Sequence, residues 1–360
     1  MKKYDERNTF FSRLNLKEDS VLYNEYYRDK HEQKIKDDPY RNSSFRDALK
    51  KDDNFKKLFS PLSSNNKVLI KSLFDTVENF EICEKQNVKP SFAKNIKEIT
   101  KYFGAQDVGI VKLNEFSYYS HSGGLSDALL KDNYGEKIKP KYSHAIIFTI
   151  LMKKELMNRA PFFEELLATE LAYYQIADVG ARVAIYLKSI GYDAFLNNSE
   201  YYLAPLVPLA YDAGLGEIGI SNHLITKEYG DNVRIGAVFT NLELDLDHPI
   251  DFGLKDFCKA CALCLINCPS NAITHKPRVV NGRQFYKFDD VSCYEMWDHT
   301  GTDCGICIQS CPFTQGVDLE LVDQMIGNDE IMKKIVDDHL EKYGRRNLTK
   351  EENIMLKRDE

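Results

Sequence analysis

Eight of the nine cysteines in this 360-residue chain lie in one short stretch, and their spacing limits how that stretch can fold. The first run has two gaps of two residues and one of three, and it ends in Cys-Pro; its members are Cys258, Cys261, Cys264 and Cys268. The second run ends in the same way, but its first cysteine lies further upstream; its members are Cys293, Cys304, Cys307 and Cys311. Such runs are typical of bacterial ferredoxin-like modules that bind two [4Fe–4S] clusters.

The fourth cysteine of each run binds the other cluster in modules of this kind. The sequence therefore predicts one cluster on Cys258, Cys261, Cys264 and Cys311, and a second on Cys268, Cys293, Cys304 and Cys307. A pair of structural zinc sites is the alternative, because Cys-x2-Cys pairs also bind zinc. Two complete runs, each closed by Cys-Pro, favour the iron–sulfur interpretation and a role in electron transfer.

Cysteine use and charge restrict the setting and the partners. Clustered cysteines in a chain of this length argue against a secreted disulfide framework. No apolar run approaches the ~18–20 residues needed to span a bilayer, and the first residues show neither an apolar signal core nor twin arginines. We therefore expect a cytoplasmic protein without a membrane partner. The net charge of −7 argues against a nucleic-acid partner.

Periodicity outside the cysteine module indicates an α+β chain. Short apolar, β-branched segments predict strands over 107–111, 145–151 and 233–240. A long helix is expected from about residue 164 to 190, stopped by Gly191. The predicted regions are a mostly helical N-terminal wrap over 1–100, a mixed core over 101–250, the two-cluster module over 251–316 and a helical tail over 317–360.

A glycine-rich segment in the core, residues 214–219, matches the dinucleotide pattern GxGxxG through Gly214, Gly216 and Gly219. The residues before it contain two prolines and do not resemble a strand, so a nicotinamide site is disfavoured. We interpret the glycines as permitting a tight loop against a flat, bulky ligand.

Several long segments together resemble the cobalamin-dependent reductive dehalogenase family. They are the glycine-rich segment, residues 224–240 (LITKEYGDNVRIGAVFT), the opening residues 4–13 (YDERNTFFSR) and the displaced Cys293. The resemblance covers nearly the whole chain. It implies a nitroreductase-like α/β core that binds base-off cobalamin without a protein histidine ligand, and the sequence agrees in lacking an Asp-x-His-x-x-Gly motif. It also implies a small organohalide substrate and a soluble ferredoxin or flavodoxin as electron donor.

The resemblance identifies Tyr173, on the long helix, as the proton donor, with a basic residue nearby to favour its phenolate. The helix pattern agrees, because Tyr173, Ile176 and Gly180 share one inward stripe, while Tyr174 lies about 100° away. An ordinary core tyrosine is the alternative.

Two further catalytic positions follow from the resemblance. Arg234 matches the family's arginine in the Asn-Val-Arg segment and would face a phenolate or a leaving halide; the alternative is a structural ion pair. Asn198 is the nearest match to a halogen-holding residue after the Gly191-Tyr192 pair. The segment there is about two residues longer than in the family, and Asn-Asn-Ser also favours an ordinary turn.

The predicted cofactor-binding residues are Gly214, Gly216, Gly219, Leu224 and Trp297. Trp297 is the single tryptophan, four residues after Cys293. It is expected to pack on the corrinoid edge or, with equal weight, to shield the clusters from water.

Two other functions compete with dehalogenation. Epoxyqueuosine reductases share the corrinoid, the clusters and a similar core but act on a tRNA base. The tyrosine-bearing helix and the acidic charge of this chain disfavour that activity. A non-catalytic electron carrier or corrinoid reductase is the other alternative, and the fully developed core argues against it.

Overall fold

A computed structural model describes residues 1–41, 54–124 and 134–346, with the backbone alone for 54–60 and 62–64. The α-helices of the described residues, numbered in chain order, are α1 (Phe10–Leu14), α2 (Val21–Tyr27), α3 (His31–Asp37), α4 (Asn54–Asn79), α5 (Ala93–Tyr102), α6 (Lys154–Met157), α7 (Phe163–Ser189), α8 (Leu206–Asp212), α9 (Leu254–Cys261), α10 (Leu263–Ile266), α11 (Asp290–Thr300), α12 (Ile306–Gln309), α13 (Pro312–Gln315), α14 (Leu319–Gln324) and α15 (Asp329–Tyr343). The strands are β1 (Val108–Lys112), β2 (His144–Leu151), β3 (Ala194–Asn197), β4 (Glu217–Ile218), β5 (Leu224–Ile225), β6 (Val233–Thr240), β7 (Ile273–Val280) and β8 (Arg283–Phe288).

The core is built on a four-stranded antiparallel sheet with strand order β1-β2-β6-β3. Strand β2 is buried along almost its whole length, as its continuous apolar run predicts. The three predicted strands are confirmed to within one residue at each end. The short strand β3 was not predicted. The mixture of helices with this sheet confirms the predicted α+β class.

Helix α7 lies across one face of the sheet, where it contacts β6, β3 and β2. Its inward stripe includes Ile176 and Gly180, both buried. A side chain at Gly180 would clash, because an added Cβ would stand 2.3 Å from Leu196 Cδ1. The helix ends where predicted: Gly191 has a φ of +88°, and its Cα faces the backbone of Lys85 too closely for a Cβ.

The glycine-rich segment does not form a dinucleotide-binding turn. It follows helix α8, which packs on strands β2 and β6, and it leads into the two-residue strand β4 rather than into a helix. A nicotinamide site needs a strand, a tight turn and then a helix N-terminus. The structure therefore agrees with rejecting that site.

The N-terminal segment is fastened to the core and to the cysteine module. The Arg13 side chain donates hydrogen bonds to Asp37 and to Asp290, which begins α11 of the module, and Arg13 and Asp37 are both buried. Helix α4 packs along α7. Most of the described residues among 1–100 are helical, while residues 81–89 form no helix and residues 42–53 lie outside the described part.

The cysteine module separates its two runs by the antiparallel hairpin β7–β8. Cys293 lies on α11, and the rest of this helix, which ends at Thr300, separates it from Cys304. Phe257, Phe313 and Ile335 share an apolar core between the module and α15. Residues 347–360 of the predicted tail lie outside the described part. Among the described helices, none combines the length and the apolar composition that crossing a membrane requires.

Candidate active site

One cavity of about 340 Å³ opens between the core and the cysteine module. Helix α7 contributes Glu165 and Tyr173 to its wall, and strand β6 contributes Arg234. The N-terminal helix α1 adds Phe10 and Phe11. The module supplies four cysteines to the same wall: Cys268, Cys293, Cys304 and Cys307. The volume lies within the range of small-molecule and cofactor sites.

Tyr173 and Arg234 meet at this wall, as the sequence predicts. The Arg234 Cζ atom stands 5.4 Å from the centre of the Tyr173 ring. Arg234 Nη2 donates a 3.0 Å hydrogen bond to Thr169 Oγ1, one helical turn before Tyr173, and stands 3.7 Å from Asp303 Oδ2. Its Nε is buried and has no hydrogen-bond partner among the described residues. The guanidinium is thus fixed while one N–H donor remains available to a bound anion.

The Tyr173 phenol keeps its proton more firmly than an exposed tyrosine does. The largest single influence, the Arg234 charge, lowers the pKa of Tyr173. Burial and the charges of Asp303, Glu170 and Glu165 together outweigh it, so the pKa lies above its ordinary value. Arg234 thus favours the phenolate, as expected of a nearby basic residue, but it does not reverse the rise in the pKa of Tyr173.

Sequence reasoning missed a pair of acids beside this tyrosine. Burial, followed by the charge of Asp303 and a hydrogen bond to it, raises the pKa of Glu165 well above its ordinary value. Glu165 Oε2 and Asp303 Oδ1 have no other hydrogen-bond partner among the described residues. The raised pKa of Glu165 favours the neutral acid, which can donate a hydrogen bond to Asp303.

A histidine on the cavity wall was also missed. His223 Nδ1 lies 3.0 Å from Asp231 Oδ2, and Asp231 Oδ1 accepts a 2.6 Å hydrogen bond from Thr314 Oγ1. Asp231 is buried, whereas the His223 side chain is 42% exposed. The carboxylate therefore orients the ring and leaves Nε2 for a ligand in the cavity. Asp231 belongs to the segment 224–240 that carries the resemblance, and His223 directly precedes that segment, so the segment was the signal that could have found them.

The eight cysteines separate into the two predicted groups. Apart from burial, the thiols that raise the pKa of Cys311 are Cys258 and Cys261. Those that raise the pKa of Cys307 are Cys304, Cys293 and Cys268. Burial raises the pKa of Cys264, and after burial Cys258, Cys311 and Cys307 raise it further. The two groups are therefore neighbours. We call them the outer set (Cys258, Cys261, Cys264, Cys311) and the inner set (Cys268, Cys293, Cys304, Cys307), because only the inner set is among the residues that line the cavity.

Each set has the number and type of ligands that a [4Fe–4S] cluster requires, which is four cysteine thiolates. Burial raises the pKa of Cys261 and Cys264 in the outer set and of Cys304 and Cys307 in the inner set, so thiolates form there when a metal centre supplies positive charge.

Four of the predicted cofactor-binding residues are not at the cavity. A Cβ on Gly214 would meet the backbone oxygen of His248 at 2.4 Å, and one on Gly216 would meet that of Ile225 at 2.3 Å. A Cβ on Gly219 would meet the Ile225 side chain at 2.8 Å. Leu224 is buried in the apolar core of the sheet. We therefore correct the interpretation of these glycines, which allow protein segments, and not a flat ligand, to approach closely. Leu224 is likewise surrounded by protein side chains and does not face the cavity.

Asn198 is also placed away from the cavity. Its Oδ1 accepts hydrogen bonds from the backbone N–H groups of Glu200 and Tyr201, and its own N–H donates to the Tyr201 carbonyl oxygen. These bonds form the ordinary turn that was the alternative. Asn198 is thus not among the residues that line the cavity, and its catalytic role stays a prediction without support from the cavity wall.

Trp297 does line the cavity, between the N-terminal segment and the inner set. Its ring centre lies 5.8 Å from that of Phe11, and its indole N–H bonds to the Cys293 sulfur. These contacts fit the shielding of a cluster from water. Packing on a corrinoid edge stays a prediction.

Known proteins resemble both the cysteine module and larger parts of this chain. Residues 257–315 match the model of the 4Fe-4S dicluster domain. The chain is 34% identical to the tetrachloroethene reductive dehalogenase of Sulfurospirillum multivorans, over 48% of this chain and 36% of the relative. It is 31% identical to that of Dehalobacter restrictus, over 63% of this chain and 49% of the relative. Identity to the epoxyqueuosine reductase of Lactococcus garvieae is 24%, over 63% of this chain and 71% of the relative.

The fold agrees with these sequence relationships. The catabolic reductive dehalogenase NpRdhA superposes with a TM-score of 0.70 at 25% identity, over 82% of this chain and 43% of that chain. This chain thus spans between about a third and a half of the length of these dehalogenases. In sequence and in fold, the chain is similar to the reductive dehalogenases, and its residues 257–315 match the 4Fe-4S dicluster domain.

Proposed function

We propose that this chain catalyses the cobalamin-dependent reductive removal of halide from a small organohalide. Two electrons and one proton replace the carbon–halogen bond with a carbon–hydrogen bond and release the halide. In this proposal the electrons come from a soluble ferredoxin or flavodoxin in the cytoplasm and pass through two [4Fe–4S] clusters on the outer and inner sets.

One observation carries the proposal: a single cavity is lined by Tyr173, Arg234 and all four cysteines of the inner set. A proton donor, an anion-binding cation and an electron source therefore face the same space. A plain electron carrier requires neither a proton donor nor an anion-binding cation.

The cavity wall has the character that a corrinoid requires. Aromatic side chains lie beside polar ones that could bind the amide groups at the edge of such a ring, and the residues that would hold it are Trp297, Ser221 and His223. When bound, the corrinoid supplies a strongly reducing cobalt centre. We propose that the corrinoid would be bound base-off, without a protein histidine on the metal.

The chain's own residues then divide the remaining work. Tyr173, which is neutral because its pKa is raised, gives its proton to the substrate carbon. Arg234 stabilises the phenolate that this transfer leaves, since its charge is the strongest influence that lowers the pKa of Tyr173. The unpaired Nε of Arg234 is placed to bind the departing halide.

The test is an anaerobic assay of the protein reconstituted with iron, sulfide and cobalamin. We expect uptake of corrinoid, measured by absorbance after gel filtration. We also expect release of halide from at least one member of a panel of aryl and alkyl halides, with reduced methyl viologen as the reductant. Absence of corrinoid uptake would contradict the proposal and favour a plain electron carrier.

Epoxyqueuosine reduction is kept as a second candidate for one reason. The chain spans 71% of the length of the Lactococcus garvieae enzyme, more than it spans of the dehalogenases. Incubation of the reconstituted protein with tRNA that carries epoxyqueuosine, followed by mass analysis of the nucleosides, tests it. Conversion to queuosine without any halide release would replace dehalogenation by this activity.

A further inference from the structure

The positions of the two cysteine sets relative to the cavity indicate the order in which electrons reach them. The inner set lines the cavity, and the outer set does not appear among the described residues of that wall. Cys264 of the outer set and Cys307 of the inner set pack against the same apolar group, so the two sets are neighbours. An electron on its way to the cavity therefore enters at the outer set and crosses to the inner one.

The hairpin β7–β8 covers this entry point. Its buried residues Ile273 and Tyr286 pack in one apolar group with two cysteines of each set, which are Cys258 and Cys264 of the outer set and Cys268 and Cys307 of the inner set. Two hydrogen bonds tie the hairpin to the core: Asn222 Nδ2 donates to the Tyr286 carbonyl oxygen, and the Tyr286 N–H donates to Asn222 Oδ1. The hairpin is thus a fixed cover with one face on the cysteines and the other towards solvent.

The outer surface of this hairpin carries a charge opposite to that of the chain as a whole. Residues 269–288 contain four Lys or Arg residues and no Asp or Glu, in a chain whose net charge is −7. Arg283 forms an ion pair with Asp212. The other three, Lys276, Arg278 and Lys287, are exposed, and the ion pairs identified in the described residues include none of them. Beside them Val279 is 73% exposed and offers an apolar contact.

We propose that this hairpin is the docking surface for a small acidic one-electron carrier protein. The inference rests on the proposed function only in requiring that the two clusters receive electrons from such a carrier. Unpaired basic side chains on an otherwise acidic protein attract an acidic partner and orient it during encounter. On docking, one electron leaves the reduced carrier, which is oxidised, and reduces the cluster of the outer set. A nucleic acid is the competing occupant of a basic surface.

The experiment measures cluster reduction by stopped flow with reduced flavodoxin, whose oxidation to the semiquinone has its own absorbance band. The variant combines Lys276→Gln, Arg278→Gln and Lys287→Gln in the cluster-loaded full chain. At low ionic strength we expect the second-order rate constant to fall about tenfold, because electrostatic steering is worth 10- to 1,000-fold. At high salt the variant and the unmodified protein should react at nearly equal rates.

A matched control removes three exposed lysines elsewhere, with Lys89→Gln, Lys94→Gln and Lys101→Gln on and before helix α5. This control changes the net charge equally and should keep the full rate. Reduction by titanium(III) citrate, which needs no docking, should be unchanged in both variants. Equal rates of reduction by flavodoxin in all three proteins would overturn the proposal.

A second measurement separates the competing occupant. If a tRNA binds the unmodified protein but not the hairpin variant, while the flavodoxin rate is the same in both, the surface serves nucleic acid and the proposal is wrong. If the hairpin controls the flavodoxin rate but no halide is released, the docking surface stands and the dehalogenase function does not.

Discussion

At Tyr173, opposing charges decide whether the phenol keeps its proton. Arg234 favours the phenolate, and three acids and burial favour the phenol more strongly in sum. A proton donor benefits from both influences, because it must hold its proton before the reaction and be stabilised after losing it. The cation and the acids therefore have separate tasks in the same cavity.

We expect Tyr173→Phe to lower kcat by at least 100-fold in the reconstituted enzyme, because a positioned acid contributes about 10²–10⁴-fold. Halide release under anaerobic conditions measures this, with iron and corrinoid contents checked first. Tyr174→Phe is the control, since Tyr174 is the neighbouring residue and is not among those that line the cavity. Full turnover by Tyr173→Phe would remove the proton-donor assignment.

The Glu165 carboxyl gives a second prediction, about stability. The pKa of Glu165 is raised in the folded state above its ordinary value of 4.5, so its contribution to stability is complete below that value and is lost as pH rises towards the folded pKa. Glu165→Gln does not titrate and keeps a donor for Asp303.

The apparent Tm of Glu165→Gln minus that of the unmodified protein should therefore increase as the pH rises from about 5 to 8. Parallel thermal melts of both cluster-loaded proteins at several pH values measure this. A difference that stays constant over the range would show that Glu165 is ionised in the fold.

The meeting of Arg234 with Tyr173 was predictable from the sequence, because Arg234 lies in the matching segment 224–240 and Tyr173 lies on the inward stripe of a long helix. The pairing of Glu165 with Asp303 was not predictable, because it depends on a helix start and a module loop that meet only in the fold. Asn198 was placed by a segment two residues longer than the family's, and its side chain accepts hydrogen bonds within a local turn.

Among the elements, long periodic ones were predicted well and short or exposed ones were not. Helix α7 and strand β6 are long and largely apolar, and their bounds were found to within one residue. The hairpin β7–β8 was missed because most of β7 is exposed and contains Pro277, so it lacks the alternation that marks a half-buried strand. The glycine segment was interpreted as a loop against a ligand because close approach of two backbone segments requires glycine as strictly as close approach of a ligand does. The sequence alone does not distinguish the two.

Helix α15 carries a histidine in its buried stripe. Met332, Ile335 and His339 share the inward face. Burial lowers the pKa of His339 to about 4. The folded pKa is depressed, so the contribution of His339 to stability is present above the unfolded value of about 6.5 and is lost as pH falls towards 4.

We expect His339→Leu to remove about 1–3 kcal/mol of this acid destabilisation and to be more stable than the unmodified protein near pH 5. Urea unfolding at pH 7.5 and pH 5 measures the difference. His31→Leu, at an exposed histidine, should leave the pH dependence unchanged. The same pH slope in His339→Leu as in the unmodified protein would contradict the prediction.

For the molecule as a whole, the N-terminal segment closes a cavity built by two other regions. Phe10 and Phe11 are part of the wall, and Arg13 joins Asp37 to Asp290 of the cysteine module. Loss of the buried Arg13 charge would leave Asp37 buried without its cation, at a cost of about 3 kcal/mol.

Arg13→Met should therefore destabilise the chain by about this amount and should make the clusters bleach faster in air. Arg7→Met is the comparison, because its ion pair with Asp5 is partly exposed and worth less than about 1 kcal/mol. Urea unfolding and the decay of the cluster absorbance measure the two effects. Equal losses in both variants would mean that Arg13 does not fasten the segment.

The exchange of cysteines between the two runs has a consequence for how the protein matures. Cys311 groups with the first run and Cys268 with the second, so each half of the module completes the binding site in the other half. Inserting or stripping one inorganic core thus disturbs the ligands of its neighbour. Iron loading should be all-or-none: partial chelation should give a mixture of fully loaded and empty molecules rather than a population with half the iron in each.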